Sequence, residues 1–186
     1  MTTGRPVAHY RTGVGASDDI VIRRIRASDG LLLRDLRIRS LTDSPAAFGQ
    51  SLDGAATRQV LEWHRSALQS SRGEGRTWLL AERGLVPLGL VQGRRRPPAT
   101  LLVFSMWVEP GSRRMGVGER LISGLESWAR GWHATETVLW VLLGNHAALR
   151  FYRRLGFDIL DSGADAEAGA RHGALAMRRV IRADPG

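Results

Sequence analysis

The chain has 186 residues, 43% of them hydrophobic, no cysteine and a formal net charge of +9. That length suits one domain with a core of its own, and the missing cysteines exclude disulfides, thiolate nucleophiles and cysteine-bound metals. No apolar run has the length of a membrane span and the N-terminus lacks a secretory apolar core, so a cytoplasmic protein away from membranes is expected. All 27 basic residues are arginine, scattered from Arg5 to Arg182, and the five histidines show no metal-ligand spacing. Neither a metal nor nucleic acid is therefore the expected partner, and a small polyanion accounts for the charge equally well.

Residues 1–18 carry Gly, Thr and Ala without a period and read as a flexible extension. The folded domain is expected over 19–182, with a short tail at 183–186. Ile20 to Arg26 reads as a first strand, and Ser28-Asp29 offers a helix N-cap. Leu32, Leu33, Leu36, Ile38 and Leu41 predict a helix to about Thr42, broken by Asp43-Ser44-Pro45. A second helix is expected from about Thr57 to Ser70, with Val60, Leu61, His64 and Leu68 on one side.

Beyond Gly73-Glu74-Gly75, strands are expected over Thr77–Glu82 and Pro87–Gly93, with Arg94-Arg95-Arg96 in the loop that follows. Leu101 to Val108 is a buried strand by its continuous apolar run, and a helix is expected from about Arg114. Thr137–Leu143 is another apolar strand. His146 to Leu155 reads as a helix closed by Gly156, and Phe157–Leu160 as a short strand. A Gly/Ala/Asp-rich loop is expected over Asp161–Gly173, before a final strand from Ala174 to Ile181. This order gives one mixed, mostly antiparallel sheet with helices on both faces, in a single domain.

The junction from Met106 to Gly118 carries the first chemical signal. Gly116 and Gly118 fall in the expected first helical turn, where each costs about 1 kcal/mol against alanine, so a close approach to the backbone is implied. A helix N-terminus presents unpaired N–H groups and a positive dipole end, and Arg113 and Arg114 add full charges. That combination suits a phosphate.

Two motifs now stand together. Val108-x-Pro110-x-x-Arg113-Arg114-Met115-Gly116-Val117-Gly118 joins a strand to a helix. Asn145-x-x-Ala148-x-x-Phe151-Tyr152-x-x-Leu155-Gly156-Phe157 starts at the end of the next strand. With the order of elements, they make the chain resemble the GNAT superfamily of acetyl-CoA-dependent N-acetyltransferases, over about Ile20 to Ile181.

The resemblance implies acetyl-CoA as co-substrate and no metal, with transfer of the acetyl group to a primary amine. Strands would splay at the acyl-CoA site, and Met106, Trp107 and Val108 would lie along the pantetheine arm. Arg113, Arg114, Met115, Gly116, Val117 and Gly118 would hold the phosphates, with Asn145 and Ala148 against the pantetheine. Tyr152 would protonate the departing thiolate. From the residues alone, Asn145 can equally be a helix N-cap and Tyr152 an aromatic core residue.

For the base that takes the amine proton, the chain departs from many relatives. Phe104, Ser105 and Trp140 occupy positions that often hold a carboxylate. Glu82 and Glu109 remain, with Ser105 as a candidate for orienting a water. The acceptor site implied by the family nominates Phe48, Trp63, His64 and the Asp161–His172 loop, for a small-molecule or peptide amine. A homodimer stays open. Two other readings compete: a catalytically silent acyl-CoA-binding regulatory module, motivated by the missing carboxylates, and a basic nucleic-acid-binding protein, motivated by charge.

Overall fold

A computed structural model describes residues 19–181; the expected extension 1–18 and tail 183–186 lie outside the described residues. Its strands are β1 (Ile20–Arg24), β2 (Arg76–Arg83), β3 (Val86–Arg96), β4 (Thr100–Val108), β5 (Glu136–Leu142), β6 (Asp158–Ile159) and β7 (Ala174–Val180). The helices are α1 (Gly30–Asp43), α2 (Leu52–Ala56), α3 (Val60–Arg72), α4 (Val117–Arg130), α5 (His146–Arg154) and α6 (Ala164–Arg171). One seven-stranded sheet runs in the order β1-β2-β3-β4-β5-β7-β6. Every neighbouring pair is antiparallel except β4 and β5, which the crossover helix α4 makes parallel.

Five consecutive buried residues, Thr77 to Ala81, mark β2 as a strand covered on both faces. Its side chains alternate between two cores. Leu79 and Ala81 join Val117, Leu121, Ile122, Leu125 and Ala129 of α4. Trp78 and Leu80 join Leu33, Leu36 and Leu41 of α1 and Trp63 and Ala67 of α3. Fully burying one such leucine contributes roughly 1.5–3 kcal/mol. The sheet is thus clamped between α1–α3 on one face and α4 on the other, as the expected mixed architecture requires.

Several local expectations are corrected. On α3 the buried stripe is Trp63, Ala67 and Ser70, while Val60, Leu61 and Leu68 are exposed. Small residues at Ala67 and Ser70 let the helix approach its neighbours closely, and one tryptophan supplies the apolar area that three aliphatic residues were expected to supply. Asp29 precedes α1 without a side-chain cap bond. Its carboxylate instead accepts from the Arg26 backbone N–H (2.7 Å) and from Arg23 Nη1 (2.6 Å).

Arg94, Arg95 and Arg96 belong to β3 and not to a loop. Their guanidinium groups find partners on the sheet and beyond it: Arg94 over the Phe104 ring of β4, Arg95 over Trp132 after α4, and Arg96 in a fork to Asp165 of α6 at 2.6 and 2.8 Å. The expected loop Asp161–Gly173 contains α6, whose Ala, Glu and Arg are good helix formers. Helix α4 begins at Val117, three residues later than expected.

The α3 stripe can be tested by unfolding. Trp63→Ala should cost about 3–5 kcal/mol and Leu61→Ala less than about 0.5 kcal/mol in urea titrations. Equal losses would contradict the assignment of the buried face.

Candidate active site

Strands β4 and β5 pair only from Thr100 with Glu136 to Val103 with Leu139. Beyond that point β4 runs on to Val108 and β5 to Leu142 with no pairing between them, so the sheet forks. The next residue on each arm is aromatic, and the rings of Phe104 and Trp140 stack 6.0 Å apart across the fork. A cavity of about 540 Å³ opens there.

The arm from β4 is re-aimed by a bulge. Leu90 of β3 pairs with Trp107 and Gln92 with Phe104, so Ser105 and Met106 oppose the single residue Val91. Ser105 takes a left-handed φ of 52°, a strained state for a residue with a side chain, and such outliers mark functional sites. Past the bulge, the Glu109 N–H bonds to the Leu88 carbonyl on β3 (2.9 Å). Strand alternation then turns the backbone of Val108 the other way, into the fork. The Val108 carbonyl there accepts from Arg113 Nε at 3.1 Å. A free strand edge of this kind can pair with an extended amide-bearing ligand.

At the mouth of the fork, Pro110–Ser112 forms a short 3₁₀ turn that leads into α4. Arg114 and Gly116 have φ of 65° and 76°, with Met115 between them at negative φ. Alternating backbone handedness gathers successive N–H groups into an anion-binding nest at the helix N-terminus. Gly116 is the N-cap residue, and its left-handed φ is what requires glycine. Gly118 also meets a packing constraint. A Cβ there would lie 3.0 Å from both Met106 Cε and Phe151 Cζ, so its bareness lets α4 pack against β4 and α5.

Among the expected site residues, the cavity brings together Phe48, Ser105, Met106, Asn145, Ala148 and Tyr152. Asn145 caps α5, its Oδ1 accepting the Ala148 N–H at 3.1 Å, which still leaves its amide donors. Trp107 is buried in the core under α1 and does not line the cavity. Val117 is a core residue of α4, while Arg114 and Met115 are exposed at the nest. Arg113 is ion-paired with Asp43.

That ion pair belongs to a small cluster at the end of α1. Desolvation raises the Asp43 carboxyl, but bonds from Ser44 Oγ, Trp107 Nε1 and Arg113 outweigh it and hold the group below its ordinary range. The cluster ties α1 to the turn that leads into α4.

Of the six residues expected for catalysis or for the acceptor, three do not reach the cavity. Glu82 is forked to Arg23 at 2.6 and 2.7 Å and lies on β2, two strands from β4. Trp63 is fully buried in the core, and His64 packs on the backbone of Gly30. Glu109, the other carboxylate considered, is paired with Arg39.

Among the described residues no carboxylate lines the cavity, and its titratable groups are Tyr152, Arg37 and His172. Tyr152 is buried against Phe151 and Phe157, and that burial raises its phenol well above the ordinary value near 10. The hydroxyl therefore remains a proton donor through the neutral range. His172 sits at the C-cap of α6, inside the expected loop Asp161–Gly173, and lines the cavity. Arg37 had a sequence signal that went unused. It follows Leu33 by four residues and precedes Leu41 by four, which places a guanidinium on the apolar side of α1.

A family model described as the acetyltransferase (GNAT) family matches residues 38–157. The chain belongs to this acetyltransferase family. The matched region takes in β4, the nest, α4 and the Asn145–Phe157 motif. A GNAT-family acetyltransferase from Streptococcus pneumoniae has the same fold, with a TM-score of 0.69 at 20% identity over 88% of this chain and 100% of that one. YncA from Salmonella typhimurium, solved with acetyl-CoA, superposes at 0.67 with 19% identity over 90% and 97% of the two chains. The PaiA N-acetyltransferase of Thermoplasma acidophilum, solved with coenzyme A, gives 0.66 at 15% identity over 87% and 99%. No curated protein matches the chain at a significant level. None of the helices among the described residues is long and apolar enough to cross a membrane.

Glu82→Gln separates a structural carboxylate from a chemical one. It should lower the melting temperature, since a half-buried guanidinium loses a partner at a cost of about 1–3 kcal/mol, while acetyl-transfer turnover stays within about twofold. A large loss of turnover in a folded variant would restore Glu82 to the chemistry.

Proposed function

We propose that the chain transfers an acetyl group from acetyl-CoA to a primary amine by direct attack. The observation that carries this is the forked sheet, with the free edge of β4, the nest before α4, and Asn145 and Tyr152 facing one cavity. CoA has what each part suits: phosphates for the N–H groups of the nest, and amides for the strand edge and the Asn145 side chain.

In the proposed reaction the amine nitrogen bonds to the thioester carbon and the carbon–sulfur bond breaks. The backbone N–H at Met106, turned into the fork beside the bulge, stabilises the developing oxyanion. Tyr152 donates its proton toward the leaving sulfur, and its burial keeps that proton in place until the thiolate forms. With Glu82 and Glu109 both paired elsewhere, His172 is assigned as the group that accepts the amine proton. Ser105, at the bulge, is positioned to orient a water between amine and imidazole.

The absence of a carboxylate from the cavity favours one rival, an acyl-CoA-binding module without turnover. Calorimetric titration with acetyl-CoA, paired with a thiol-release assay over a broad amine panel, separates the two. Binding with turnover supports the enzyme, and binding without release from any amine supports the module.

Two variants test the assigned roles. Tyr152→Phe should lower kcat by about tenfold or more, and His172→Ala should lower kcat/KM by about 10²–10⁴, each with acetyl-CoA affinity unchanged. Because burial raises the Tyr152 phenol, no loss of rate from its ionisation is expected below pH ~10. Wild-type turnover in Tyr152→Phe would leave the tyrosine as core packing.

A further inference from the structure

Arg37 is 3% exposed, yet its guanidinium belongs to the cavity wall. Its described hydrogen bonds go to neutral oxygens, Nη1 to Ser40 Oγ at 3.1 Å and Nη2 to Gln50 Oε1 at 3.0 Å. Its carbon lies 5.0 Å above the Phe48 ring, which holds the plane of the group without neutralising it. Among the described residues no carboxylate pairs with it. The contrast with other half-buried arginines is direct, since Arg23, Arg96 and Arg179 each bond a carboxylate at 2.5–2.8 Å.

A buried cation without a counter-charge is costly to maintain. Here the cost is visible as a pKa lowered by desolvation to about 10, which still leaves the group charged at neutral pH. Two bonds also use only two of the five N–H donors of a guanidinium. Both facts make the cavity wall a receptor for an anion.

Resting on the acetyltransferase reading above, we infer that the acceptor amine carries a carboxylate, which Arg37 binds in the acceptor half of the cavity. CoA does not account for Arg37, because its phosphates are assigned to the nest at the other end of the fork. A carboxylate fits better than a phosphate. One guanidinium balances one negative charge, and among the described residues Arg37 is the one arginine that lines the cavity. The planar fork also matches the two oxygens of a carboxylate. The acceptor class is then an amino acid or a similar amine with a carboxylate on the same molecule.

Product binding tests this without needing turnover. N-acetyl derivatives of the common amino acids, each paired with its carboxamide, are titrated calorimetrically into the protein saturated with CoA. At least one acid should bind about tenfold or more tightly than its amide, and Arg37→Gln should erase that preference while CoA affinity is retained. If every acid and amide bind alike, or if the preference survives in Arg37→Gln, the inference is overturned. Should Arg37→Gln fail to fold, Arg37→Lys takes its place, with the preference reduced but of the same sign. Failure of the acetyltransferase reading shows separately, as absence of thiol release from any amine in protein that binds CoA, which leaves the comparison of acid with amide unaltered.

Discussion

The site depends on where two parallel strands stop pairing. Backbone N–H and C=O groups are obligatory hydrogen-bonding groups, and a sheet interior normally leaves none of them over. By parting after Val103 and Leu139, β4 and β5 keep an open edge inside the molecule, and that edge needs a partner other than a strand. Widening the gap takes three devices: the Ser105–Met106 bulge, the stacked Phe104–Trp140 pair, and the crossover helix α4 that forces the strands to be parallel. Each device also does chemical work. The bulge aims Met106 into the gap, the rings wall the cavity, and the N-terminus of α4 forms the nest.

Charge is distributed with the same economy. A chain whose basic residues are all arginine can use guanidinium planes as packing material, and many here lie on an aromatic ring or fork a carboxylate. These pairs hold Glu82 and Glu109 out of the cavity, which removes the carboxylates from contention as bases. What remains facing the cavity is a neutral phenol, an imidazole and an unpaired guanidinium. That set favours proton transfer at one end and anion binding at the other.

The sheet and its long helices were legible because apolar runs and helical spacing are local signals. So were the positions of Gly116 and of the Asn145–Phe157 motif at the two strand-to-helix junctions, since both are read from spacing along the chain. The bulge was not legible. It is an offset between Leu90–Gln92 on one strand and Phe104–Trp107 on the other, and no single stretch contains it. Glu82 was misjudged for a similar reason, because its partner Arg23 is 59 residues away. His172 was hidden by the Gly/Ala-rich composition of α6, which reads as loop until it packs on β7 beside Trp140. Gly118 carries a packing constraint that spacing along the chain does not show, since a Cβ there would crowd Met106 and Phe151.

All of this stands or falls on the forked edge of β4 being a ligand-binding edge. A crystal structure of the protein with acetyl-CoA tests that claim most directly. The account predicts phosphates against the backbone N–H groups of residues 114–118, a pantetheine arm bonded to the backbone of Met106 and Val108, and the sulfur facing Tyr152. Electron density for CoA elsewhere on the molecule, with the fork closed or bare, would contradict it.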